Sequence, residues 1–125
     1  MSDEITFNWT LTCENGTLKV TRNPGRQTID QSATGRSVQS QTITATGAEV
    51  LNFAADLASK GIAMAANLDD GNFVEIGILA TATAFYPFMK LKAGESFAFR
   101  FATACVPYAL ANTAACKLDH ETLED

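Results

Sequence analysis

Two stretches constrain this chain most: Asn67-Leu68-Asp69-Asp70-Gly71-Asn72-Phe73-Val74-Glu75-Ile76-Gly77, and Phe85-Tyr86-Pro87-Phe88-Met89-Lys90-Leu91-Lys92-Ala93-Gly94-Glu95. Each sets short apolar or β-branched runs around a cluster of turn residues, too short for a helix and bounded by Gly, Asp or Asn. Residues 61–68 and 73–80 read as one hairpin, turning at Asp69-Asp70-Gly71-Asn72. Residues 85–91 and 97–103 read as another, turning at Lys92-Ala93-Gly94-Glu95. In the last of these strands Phe97, Phe99 and Phe101 share a face, and three rings in line are expected to supply much of the core.

The same logic runs along the rest of the chain. Residues 5–12 alternate, with Ile5, Phe7, Trp9 and Leu11 on one face and Thr6, Asn8, Thr10 and Thr12 on the other. An Asn15-Gly16 turn of type I′ then returns a strand over 17–21, with Leu18 and Val20 inward. Residues 22–36 lose all periodicity and carry Asn23-Pro24-Gly25 and Thr34-Gly35, which predicts a long loop holding at most a short strand near Gln27 to Asp30. Residues 37–46 are strand-like in Thr and Val content but polar on both faces, the pattern of a sheet edge or of a strand lying against another subunit. Val50 to Ala58 admits a helical turn or a strand at 49–53 followed by loop, with the strand favoured. Residues 105–115, Ala-rich with Pro107 and Asn112, are expected to be loop, and 117–123 a closing strand. Short strands at eight to twelve residue spacing predict an all-β chain, a single antiparallel β-sandwich or jelly-roll-like barrel over residues 1–125.

Composition narrows the function classes. A chain of 125 residues can bury roughly two thirds of its unfolded surface, enough for one core without a metal or a disulfide. Its net charge of −5, with nine scattered basic residues, argues against a nucleic-acid footprint, which needs clustered Lys and Arg. Arg22, Arg26 and Arg36 make the one basic patch, expected to be a solvated loop or a contact to an acidic neighbour. No run approaches the ~18 apolar residues of a membrane span. The three cysteines, Cys13, Cys105 and Cys116, have no metal-ligand spacing. Their odd number and the lack of an apolar leader point to folding in a reducing cytosol, although Cys105 and Cys116 could meet across a hairpin.

No constellation of catalytic groups is legible. The lone His120 has Asp119 and Glu121 beside it, but neighbours on a strand point to opposite faces, and no Ser stands in a nucleophile elbow. Asp69-Asp70-Gly71-Asn72 is oxygen-rich yet lacks the terminal bidentate Glu of a calcium loop, so a plain turn is expected. Glu75 either points outward or pairs with Arg100 of the neighbouring hairpin; outward is favoured because burying an ion pair seldom stabilises. The chain is therefore expected to be no enzyme and to carry no cofactor or metal.

Leu68-Asp69-Asp70-Gly71-Asn72-Phe73-Val74-Glu75-Ile76-Gly77, followed by the aromatic-proline segment that closes in Leu91-Lys92-Ala93-Gly94-Glu95, resembles a pattern in small proteins encoded among the virion genes of tailed bacteriophages, head decoration or cement proteins among them. The resemblance spans residues 66–103. It implies a structural component of a virion, made in the host bacterial cytoplasm, that binds copies of itself and a repeating lattice of major capsid or tail proteins. A tail or neck role (adaptor, terminator or tube) fits the same residues. A rival of another class is a carbohydrate-binding adhesion module, with Trp9, Phe85, Tyr86, Phe88 and Tyr108 as its aromatic platform. The candidate contact residues are Arg22, Arg26, Arg36, Gln39, Gln41 and Tyr86.

Overall fold

The computed structural model describes residues 5–102 and 104–125. The described residues form twelve strands and no helix: β1 (Ile5–Phe7), β2 (Leu11–Asn15), β3 (Leu18–Arg22), β4 (Gln27–Ile29), β5 (Arg36–Ile43), β6 (Glu49–Val50), β7 (Lys60–Asn67), β8 (Val74–Leu79), β9 (Phe85–Leu91), β10 (Ser96–Arg100), β11 (Tyr108–Ala111) and β12 (Cys116–Glu124). The chain divides into two compact units, residues 1–32 and 33–125.

In the first unit β1 pairs with β4, and β2 with β3. The expected single strand over 5–12 is instead two short ones that take different partners. Trp9, expected inward, lies between them and is exposed, as is Leu11. A unit this short has too little chain to enclose every apolar side chain of an alternating strand. The hairpin turn also shifts by one residue. Asn15 pairs with Leu18, so Gly16 and Thr17 form the loop. Gly16 has φ +59° and, among the described residues, no non-glycine residue has positive φ, the pattern of type II′ and not type I′. The short strand expected near Gln27 is β4.

The second unit is an antiparallel β-sandwich. One sheet has the order β10-β7-β12-β5 and the other β6-β11-β8-β9. The pairs β5 with β12, β6 with β11, β7 with β10 and β8 with β9 nest inside one another. That nesting is a long hairpin rolled up on itself, the jelly-roll arrangement.

Rolling explains why two expected hairpins are not hairpins. β7 and β8 belong to opposite sheets, and so do β9 and β10, so the turns at 68–73 and 92–95 are arches that carry the chain across the core. Asn67, buried at the first arch, holds both. Its Nδ2 donates to Asn72 O at 2.8 Å and Leu91 O at 3.1 Å, and its Oδ1 accepts the Asp69 N–H. Asp69 Oδ2 in turn accepts the Gly71 and Asn72 N–H groups, which hold its carboxyl below the usual range. The local hairpin is β8 with β9, closed by the Ala80 N–H to Ala84 O bond across a loop with no Gly, Asn or Pro.

The core joins Ile43, Leu51, Ala65, Val74, Ile76, Leu91, Ala109, Ala111, Cys116 and Leu118, with Phe53, Met89 and Phe99 packed on it. Alanines face inward from β7 and β11, so much of the chain's apolar content serves to let strands lie close. Two expectations about chain ends are corrected. Residues 108–111 form β11, an inner strand and not loop, and β12 is central, between β7 and β5. The Phe97-Phe99-Phe101 face does point between the sheets, but only Phe101 is buried; Phe97 is 62% exposed because β10 is an edge strand.

Candidate interaction surfaces

A rolled-up sandwich has two open sides, one between β5 and β6 and one between β9 and β10, because these are the edge strands of the two sheets. Edge backbone groups that meet no ladder partner are the strongest built-in means by which a β domain recruits another chain. The four edges differ in how they are guarded.

β6 has two residues. β9 carries Pro87 and a bulge: Ile76 pairs with Met89 but Gly77 pairs with Pro87, leaving Phe88 as the extra residue. A Cβ at Gly77 would lie 2.1 Å from Tyr86 O, so glycine is what lets the bulged strand approach. β10 has five residues. β5 is the longest edge at eight residues, with no proline, lysine or bulge along it. Arg36, Val38, Ser40 and Thr42 alternate along its exposed outer face with Ser37, Gln39, Gln41 and Ile43 on the inner one. The edge position expected for this polar strand is therefore observed.

The β5/β6 side is plugged from within. Gln41 Nε2 donates to Val50 O at 2.9 Å and Glu49 Oε1 at 3.1 Å, and its Oε1 accepts the Asn52 N–H at 3.0 Å. The Ser37 hydroxyl accepts the Ala54 N–H at 2.8 Å. Behind Gln41 sits His120, buried, its ring edge-on to Phe53 at 5.5 Å. Since the Gln41 amide orientation is set by its other bonds, His120 Nε2, 3.4 Å away, faces an acceptor and carries the proton. Burial pulls the imidazole's pKa down, and the Asp119 charge opposes this. Asp119 and His120 do point to opposite faces of β12. At the far end of β12 the buried Glu124 carboxylate accepts the Gly35 N–H at 2.8 Å and the Ala58 N–H at 2.9 Å.

The β9/β10 side stays open. A cleft of about 580 Å³ runs there, lined by Phe88, Met89, Leu91 and Phe97 together with Lys90, Glu95 and Ser96. Phe88 and Phe97 are 61% and 62% exposed, and Tyr86, paired with Ile78 further along β9, is also exposed.

The three arginines expected to make one patch belong to different units. Arg22 ends β3 and Arg26 precedes β4, both in the first unit, where Arg26 reaches Thr6 Oγ1 at 3.4 Å. Arg36 opens β5 in the second unit and pairs with Glu121 at 2.8 Å. Arg100 pairs with Asp125 and not with Glu75, which lies beside Lys90 in the ladder. Gln39, opposite His120, lies on the inner face of β5, whereas the Gln41 amide is engaged within the chain. All three cysteines are free. The buried Cys116 thiol is pushed up in pKa by burial and, less, by Asp69.

No protein family and no curated protein matches this chain. Among solved structures, a chain described as "Bacillus endospore appendages form a novel family of disulfide-linked pili" aligns with 79% of this chain and 100% of its own, at a TM-score of 0.44 and 12% identity. The surface that sequence reasoning missed is the β9/β10 cleft. Its signal lay in part in Phe97, which falls where alternation would place a core residue; Phe88 is the bulge residue of β9.

Proposed function

We propose that this protein is a structural subunit of a tailed-phage particle, working by adding an edge strand to neighbouring subunits. The observation that carries this reading is β5, an eight-residue edge with no proline, lysine or bulge along it. The resemblance in residues 66–103 supplies the virion setting, with a decoration or cement role first and a ring or tube role in neck or tail second. Jelly rolls serve as viral shell domains and also as lectin domains, so fold alone does not assign a function. His120 is given to packing and not to catalysis in this reading, walled in as it is by Phe53 and Gln41.

Sedimentation of the purified protein across a concentration series, and co-sedimentation with phage shells assembled without it, test the reading together. Concentration-dependent assembly, or binding to shells at a fixed ratio, is the expected result. A protein that stays monomeric and ignores shells would refute it, and glycan binding lost on Trp9→Ala or Tyr86→Ala would favour the adhesion module instead.

A further inference from the structure

Resting on that assembly reading, we infer that the occupant of the open β9/β10 side is the β5/β6 side of a second copy of this chain, so that copies join head to tail and not as two-fold pairs. Strand direction makes this possible. The sheet β10-β7-β12-β5 has four strands and every pair in it is antiparallel. A copy displaced sideways, without being turned over, therefore presents its β10 antiparallel to β5, and the ladder continues across the junction.

The companion sheet β6-β11-β8-β9 also has four antiparallel strands, so the same displacement brings the partner's bulged β9 toward β6.

The side chains on the two sides fit this arrangement. Pairing that sets Ser40 opposite Ala98 keeps outer face with outer face and puts Gln41 and Gln39 against Phe97 and Phe99. This covers Phe97, the ring that the chain's own core leaves 62% exposed. Neither edge brings a free charge: Arg36 is held by Glu121 and Arg100 by Asp125. The side closed from within by Gln41 and Asn52 offers a filled polar wall, and the opposite side an apolar cleft that needs covering. A head-to-tail contact leaves one unused edge on every end subunit, so it grows into a ring when the rotation closes and a filament when it does not.

Two edge-specific variants decide between the arrangements. S40K/T42K places lysines on the exposed outer face of β5, the first of them diagonal to Arg100 of the neighbour; F97D removes the exposed ring from β10. Both sites are exposed, so thermal melts should stay within a few degrees of the wild type, which establishes that each variant folds. Each variant alone is expected to sediment as a monomer at concentrations where the wild type assembles. An equal mixture of the two is expected to form a species of two chains and stop there, since only one pair of intact edges remains. If F97D alone still assembles like the wild type, the contact is β5 with β5 and the head-to-tail inference fails while the assembly reading survives. If the mixture stays monomeric the inference also fails. If the wild type itself never associates, self-assembly is excluded, and shell binding alone then decides the broader reading.

Discussion

His120 shows how a single side chain couples the core to solution conditions. It is the partner of Gln41, the residue that ties β5 to the segment 49–52, and the groups facing it are Gln41, Phe53 and the neighbours Gln39 and Ala65, with the Asp119 charge next to it in the chain but on the other face of β12. Lys60 Nζ lies over the Phe53 ring, 5.2 Å from its centre, so a charged imidazole would have a cation beyond its aromatic neighbour, while the Glu49 carboxylate reaches it only through the Gln41 amide. Burial lowers the folded-state pKa beneath the ordinary 6.5, so the unfolded chain binds the proton first. Stability is therefore complete above that value and is lost as pH falls through it. Urea midpoints at pH 7.5 and 5.5 should show this loss in the wild type and a much flatter response in His120→Gln, which keeps a donor toward Gln41 without titrating. The carboxyl of Asp69 acts in a separate and more acidic window, with stability lost only as pH drops below its ordinary 3.8. Both behaviours are invisible in the sequence, where His120 is merely a histidine between two acids.

Among the elements, β8 and β9 show how one residue type decides a strand's partner. Val74 and Ile76 point into the core and Glu75 lies beside Lys90, as alternation predicts. At Gly77 the pattern breaks, because the bulge at Phe88 brings Tyr86 O and Pro87 Cα into the space a Cβ would take, at 2.1 and 2.6 Å. These are backbone atoms and cannot step aside cheaply. Gly77→Ala is expected to destabilise by about 2–4 kcal/mol, in the range of overpacked and backbone-disrupting substitutions, read as a lowered denaturant midpoint. Gly71→Ala, which meets nothing within 4 Å, is the matched control and should change little. Strands were legible from composition near 61–68, 73–80, 85–91 and 97–103, the last observed over 96–100 with residue 103 outside the described residues, but their pairing was not. Turn residues report that a chain reverses; they do not report whether it reverses within a sheet or crosses to the facing one. Here Asn67 decides that, by committing its amide to Asn72 and Leu91.

The whole molecule is two units, and the larger holds the core. A chain beginning at Ala33 is expected to retain a cooperative melt within a few degrees of the full protein, since the buried residues of the core cluster all lie beyond that point. Limited proteolysis that leaves a stable fragment starting near residue 33 would check the same boundary. Loss of all cooperative unfolding in the truncated chain would show that the first unit is needed for the sandwich to form. By itself the sequence determined the class: alternating and β-branched runs of four to eight residues, broken by turn residues, satisfy their backbone groups in sheets, and the run 37–46, polar on both faces, suits an edge. Only the tertiary structure decided the nesting of β5 to β12, the central place of β12, and the open cleft at Phe88 and Phe97. Those depend on which strands meet across long stretches of chain, as Arg36 meets Leu123 and Ala66 meets Ser96, and such long-range pairing is set by the fit of whole faces against one another rather than by any local run of residues.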